Sequence, residues 1–266
     1  MGAIEDIPHN LLYKYISWNN EHHKRIIKNG EIYFASPDKF NDPFDCAVPI
    51  RFDLMSSDAF AKAIRLVHPE YGNGISGMFA KIYKDLDEAA KIEILNSFRK
   101  HQYDYINENT GLFCMTDKKD DILMWSHYAN CHKGICVGFD VALLLEYFVQ
   151  ICTNNGLRIA CFQVDYVRDF PVLIPRKIID DDIVRIPFYT KAIDWSHERE
   201  YRFILLNATN VALKLDLGII KEIILGCKIE DATVQDVLNN IKDWNNIRIL
   251  KASKNSEKYE LDFTTY

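Results

Sequence analysis

The chain has 266 residues, 48% of them hydrophobic, 26% charged and 12% aromatic, a balance that excludes disorder, collagen and coiled coil. That length suits one large domain or two small ones and buries enough surface to need no disulfide or metal staple. With 32 Lys+Arg against 38 Asp+Glu, the net charge of −6 argues against a general polyanion binder, although one face can still be basic.

Leu11 to Ile16 is apolar and aromatic and reads as a strand. Asn19 or Asn20 then caps a short helix, Glu21 to Asn29, that ends at Gly30. Glu31 to Ser36 resumes strand character. Ser36 to Asp45 holds two prolines, an asparagine and three aspartates, which predicts a loop, ordered by Phe40 and Phe44. From Ser57 to Asn109, apolar residues recur at helical spacing, through Phe60, Ile64 and Val67 and again through Ile82, Leu86, Ile92, Leu95 and Phe98. This reads as a helical insertion or cap.

Strands are predicted at Leu112–Thr116 and Ile135–Phe139, with a helical stretch, Asp120 to Ala129, between them. Asp140 can cap the helix Val141 to Phe148. Further strands follow at Ile159 to Val167, Tyr201 to Leu206, Ile223 to Leu225 and Ile247 to Leu250, with a last helix from Asp231 to Trp244 under an acidic cap. No repeat or domain boundary is visible. The pattern predicts a single α+β domain: a mixed or antiparallel sheet of about half a dozen short strands with flanking helices.

No run reaches the roughly 18 apolar residues that span a bilayer. The opening Met1-Gly2-Ala3-Ile4-Glu5-Asp6 carries two acids and no apolar core, unlike a secretory signal. Seven cysteines (Cys46, Cys114, Cys131, Cys136, Cys152, Cys161 and Cys227) are odd in number and scattered, as expected of reduced thiols in the cytoplasm.

Several chemistries can be weighed directly. Gly72, Gly74 and Gly77 have the outline of a dinucleotide loop without the preceding strand. His127, Cys131, His132 and Cys136 are metal-ligand types, but their spacing is not that of a zinc knuckle, so no metal is expected. Cys114 lies near two histidines in sequence without a nucleophile elbow. Glu198 and Glu200 stand two apart just before an apolar strand. If that strand begins at Glu198, both carboxylates share a face and Arg199 points the other way. Such a pair is costly without a purpose or a cation, and the plainer reading is an ion-pair ladder with Arg202 or Lys191. Trp125 and Tyr128 share a helix face, as core or as a stacking wall for a flat ring. Tyr13-Lys14-Tyr15 places a cation between two aromatics on the first strand.

Taken together, these blocks resemble a bacterial family of unknown function, DUF 2971. The resemblance rests on Leu12-Tyr13-Lys14-Tyr15, Gly30-Glu31-Ile32-Tyr33-Phe34 and Phe40-Asn41-Asp42-Pro43-Phe44-Asp45. It continues through Cys114, Met124-Trp125-Ser126-His127-Tyr128-Ala129, Gly134 to Phe139, and Lys191 and Trp195 followed by Glu198, Glu200 and Arg202. More distantly, the chain resembles ADP-ribosyltransferase-like domains. Those carry a basic residue or His on a first strand, Ser, Thr or Tyr on a middle strand and Glu on a late one. Lys14, Thr116 and Glu200 fall in that order, and Glu198-x-Glu200 is similar to the double-glutamate motif of arginine-directed members.

That second resemblance implies an ADP-ribosyltransferase-like fold and NAD as cofactor. The enzyme would be a transferase or NAD glycohydrolase acting on a nucleic acid or protein, as a bacterial toxin or phage-defence effector. Glu200 would be catalytic and Glu198 would orient the acceptor. Tyr13, Lys14, Tyr15, Asn41, Asp42, Thr116, Trp125, Tyr128 and Arg202 would bind the cofactor. The chain departs from that pattern at Lys14 and at Met115-Thr116-Asp117, where the family has Arg or His and Ser-Thr-Ser. Two other expectations stand beside it. One is a non-catalytic module binding through the Asn41-Asp42-Pro43-Phe44 loop. The other is a nuclease whose carboxylates are Asp42, Asp45, Glu198 and Glu200.

Overall fold

A computed structural model describes residues 10–56, 78, 81–83, 85–174 and 181–266. Packing divides the chain into two units. The first joins Met1–Ser36, Thr110–Val164 and Asp194–Tyr266, and the second joins Pro37–Asn109 and Asp165–Ile193.

The first unit is built on an eight-stranded sheet. Its strands are β1 (Leu11–Ile16), β3 (Thr110–Thr116), β4 (Ile135–Asp140), β5 (Arg158–Gln163), β8 (Glu200–Leu206), β10 (Ile220–Leu225), β11 (Arg248–Lys254) and β12 (Leu261–Thr265). They lie in the order β12-β11-β10-β4-β1-β3-β8-β5. Every neighbouring pair is antiparallel except β10 with β11. A separate ribbon pairs β2 (Glu31–Phe34) with β9 (Val211–Lys214). β1 runs beside β4 for six residue pairs but meets β3 at one, Tyr13 with Thr116.

Period-two alternation gives the sheet two different faces. On one face Leu12, Ile16, Phe113, Val137, Phe139, Phe203 and Ile223 form the main core. Onto it pack Ile26 and Ile27 of α1 (Glu21–Asn29), Leu144 and Phe148 of α4 (Val141–Asn155), and Val234, Val237 and Ile241 of α6 (Asp231–Ile241). Each such side chain contributes about 1.5–3 kcal/mol by leaving water. The opposite face carries Tyr13, Tyr15, Cys136, Ile224 and Leu250 under Met124 and Trp125 of α3 (Ile122–Tyr128).

The helix ends are written into the sequence. Asn20 Oδ1 accepts from the His22 and His23 amides, and Gly30 closes α1 at φ 62°. Asp121 and Asp140 cap α3 and α4 in the same way. Glu230, which precedes α6, makes no side-chain cap. The expected strand Ile159 to Val167 is two strands, because the chain leaves the sheet after Gln163. β6 (Asp165–Val167) then pairs in parallel with β7 (Thr190–Ala192) in the second unit.

The second unit also holds α2 (Glu88–Asn109), α5 (Asp181–Tyr189) and a small apolar cluster of Val48, Ile50 and Leu173. A buried ion pair joins Lys191 Nζ to Asp45 at 3.4 Å. Of the helical run expected from Ser57 to Asn109, α2 realises the end, and residues 57–77 lie outside the described residues. Among the described residues no helix is long and apolar enough to cross a membrane.

Candidate functional site

The β3–β8 ladder runs from Thr110 opposite Leu206 to Thr116 opposite Glu200. Alternation sets Glu200 and Arg202 on one face of β8, across from Thr116 and Cys114. Arg202 donates from Nε to Glu200 Oε1 at 2.8 Å and from Nη2 to Oε2 at 3.0 Å. Both are buried, Arg202 completely. Two buried charges are tolerated here because the fork meets the carboxylate with both nitrogens. The Cys114 thiol lies within the field of the Glu200 carboxylate. Burial, and then that carboxylate, push its pKa well above the ordinary thiol value.

The rung of Glu200 extends across six strands: Glu200, Thr116, Tyr13, Gly138, Glu222 and Arg248 are successive partners. At its far side Glu222 is completely buried, with Lys119 Nζ at 3.3 Å and the Arg248 guanidinium in contact. Burial first, and then the charge of Glu222, raise the pKa of the Tyr13 hydroxyl. Gly138 leaves the Tyr13 ring room to pass, since a β-carbon there would stand 2.9 Å from Tyr13 Cε1.

Glu198 takes a different path from the one that strict alternation predicts. It closes the 3-10 helix Ile193–Glu198 instead of opening β8. Arg199, between the two glutamates, has φ 45°, in the left-handed region. The strand expected at Tyr201–Leu206 begins one residue earlier, at Glu200, so the condition for a shared strand face is not met and the carboxylates are set by a kink. Glu198 is buried and accepts from the Tyr128 hydroxyl at 2.5 Å. Arg199 itself grips Asp117 from Nε (2.8 and 3.0 Å) and Nη2 (2.5 Å).

The other expected residues fall in several places. Trp125 is completely buried, edge-on to Tyr15, with its Nε1 donating to the Lys119 carbonyl. Tyr15 donates to the Lys118 carbonyl at 2.9 Å. Together these bonds fix the loop between β3 and α3. Lys14 lies on the opposite face from Tyr13, over the Phe113 ring, and donates to the Cys114 carbonyl at 2.8 Å. Asn41 and Asp42 belong to the second unit, where Asp42 Oδ1 accepts from the Phe44 amide. At the end of α3, the rings of His127, Trp195 and His197 meet pairwise at 6.0–6.5 Å.

Within the first unit the arrangement thus brings Glu200, Arg202, Thr116 and Tyr13 into register on neighbouring strands, and separately joins Glu198 to Tyr128. Sequence reasoning missed Asp117 and Glu222. Glu222 could have been found as a charge at an inward position, two residues from Ile220 and from Ile224. Nothing in the local pattern marks Asp117. Among the described residues no three His, Cys, Asp or Glu side chains are grouped to hold a metal ion.

Residues 124–203 match the family model described as a protein of unknown function, DUF2971. The matched stretch begins on α3, which carries Tyr128, and ends on β8, so it holds Glu198, Arg199, Glu200 and Arg202. Tyr13, Thr116 and Asp117 lie outside it. No curated protein and no solved structure matches the chain.

Proposed function

We propose that the Glu200 face of the sheet is the active centre of an enzyme that breaks the nicotinamide–ribose bond of NAD. The ribosyl group passes to water or to an acceptor in a nucleic acid or protein, so the activity is of the NAD glycohydrolase or ADP-ribosyltransferase type. The observation that carries this reading is one rung of the sheet, Tyr13 beside Thr116 beside Glu200. A first-strand, a middle-strand and a late-strand polar residue, far apart in sequence, become immediate neighbours. That is the order in which ADP-ribosyltransferase-like domains carry their functional residues, with Tyr13 standing in register where the sequence suggested Lys14.

The chemistry suits a paired carboxylate. Nicotinamide in NAD is a pyridinium, so when the C1′–N bond breaks the electron pair goes to the ring, which departs neutral and needs no proton. What the transition state needs is stabilisation of positive charge developing on the ribose. Glu200, ion-paired with Arg202, supplies a fixed charge and not a transferable proton. The Thr116 hydroxyl lies on the same rung for a polar group of the ribose. Glu198, held by Tyr128, takes the proton of the attacking water or acceptor.

Nicotinamide release from NAD by the wild type and by Glu200→Gln tests the reading. Release by the wild type, and loss of about a hundredfold or more in a variant with an unchanged circular dichroism spectrum, is the expected result. No release and no NAD binding by a folded wild type would overturn it. That outcome would favour a binding module, a reading to which the same Arg202–Glu200 pair also lends weight, because it satisfies the glutamate without any ligand.

A further inference from the structure

The β3–β8 ladder makes its last main-chain pair at Thr116 and Glu200. One step further along the same register stand Asp117 and Arg199, and there the rung is made by side chains. The guanidinium meets the carboxylate with two nitrogens. Asp117 is almost wholly buried in this contact, while half of the Arg199 side chain stays in water. At the same residue the backbone turns into the left-handed region, φ 45°, which costs a non-glycine residue about 1 kcal/mol and which a glycine would take freely. The chain thus keeps an arginine where its backbone favours a glycine, and the arginine is anchored on the residue that follows the strand carrying Thr116.

Resting on the reading of Glu198 and Glu200 given above, we propose that the Asp117–Arg199 pair is a positioning clamp for the two glutamates. It holds the kink that takes Glu198 off the strand line and onto the Tyr128 hydroxyl, while Glu200 stays in the ladder beside Arg202. Without the clamp, residues 198 and 199 are free to continue β8 as an ordinary strand. Strict alternation would then turn Glu198 to the Glu200 side and away from its tyrosine. Arg199 and Asp117 act through the glutamates and touch no reacting atom.

Three variants test the clamp: Asp117→Asn, which keeps shape and removes the charge; Arg199→Gly, which relieves the backbone and removes the anchor; and Arg199→Lys, which keeps one charged contact. Two readouts are taken, amide hydrogen exchange of residues 197–201 and the steady-state constants for nicotinamide release. In Asp117→Asn and Arg199→Gly, exchange in that segment is expected to rise about tenfold or more. The same variants should lose about tenfold in kcat with KM held within about threefold, and Arg199→Lys should recover most of both. Unchanged exchange in both variants would overturn the clamp, as would faster exchange with wild-type kcat. If the wild type releases no nicotinamide, the NAD reading fails by itself, and the exchange of residues 197–201 still decides whether the pair holds the kink.

Discussion

The ring of Tyr13 crosses the neighbouring strand at Gly138, its Cε1 2.9 Å from where a β-carbon would stand, and its hydroxyl feels the charge of the buried Glu222 beyond. The same β-carbon would stand 3.1 Å from Glu222 Cβ. Gly138→Ala must therefore push the ring off its path or open the sheet, and both neighbours are packed. We expect a loss of about 1–3 kcal/mol in urea denaturation, with an unchanged m-value. Tyr13→Phe in the alanine background tests the cause: a ring that has already lost Glu222 should have little more to lose.

Arg202 and Glu200 form a second interdependent pair. Arg202→Leu leaves Glu200 buried without its bidentate partner and should cost about 3–5 kcal/mol. Replacing both, as Glu200→Leu with Arg202→Leu, should be far milder than the sum of the two single changes. A double-mutant cycle by chemical denaturation reads the coupling directly. Additive losses would mean that each side chain is held by other contacts.

Alkaline pH should weaken the fold. Burial raises the pKa of Tyr13, Tyr15, Cys114 and Cys136, so the folded chain keeps those protons. The unfolded chain releases them at ordinary values, about 8.5 for cysteine and about 10 for tyrosine. The stability tied to these groups is complete below about pH 8.5 and is lost as the pH climbs above it. Urea midpoints at pH 7, 9 and 10.5 should fall in that order, and Tyr15→Phe should flatten the upper part of the curve. A profile that stays level to pH 10.5 would contradict the burial of these groups.

Thiol labelling should sort the cysteines by exposure. Cys131 is exposed, whereas Cys46, Cys136 and Cys161 are buried. One equivalent of a maleimide at pH 7.5 is expected on Cys131, read by peptide mass spectrometry, with the buried three reacting only in denaturant. Cys114, partly exposed but with a raised pKa, should lag behind Cys131.

Local signals were the legible part of this fold. Asn20 and Gly30 around α1, and Asp121 and Asp140 before α3 and α4, act within a few residues and could be read from the chain. β9 and β12 could not, because Val211-Ala212-Leu213-Lys214 and Leu261-Asp262-Phe263-Thr264-Thr265 are short and partly exposed and owe their state to a partner strand. The site shows the same division. For the glutamates the sequence offers two ion-pair partners, Arg202 or Lys191, and the structure pairs Arg202 with Glu200. The shared face of Glu198 and Glu200 required a strand start at Glu198, and the kink at Arg199, which depends on Asp117, 82 residues away in sequence, removes that condition. Tyr13 came into register through a pairing with Thr116 that no spacing within β1 announces.

The place of β1 also sets a timetable. Its neighbours on either side are β3 and β4, and Tyr15 reaches the Lys118 carbonyl across 103 residues of chain. At a synthesis rate of about 5–20 residues per second, an apolar, aromatic strand waits on the order of 5–20 s after leaving the ribosome before either partner exists. A nascent chain of this protein is therefore a natural client for a chaperone that shields β1. Placing β1 after β4 in chain order by circular permutation would remove the wait and leave the finished sheet the same.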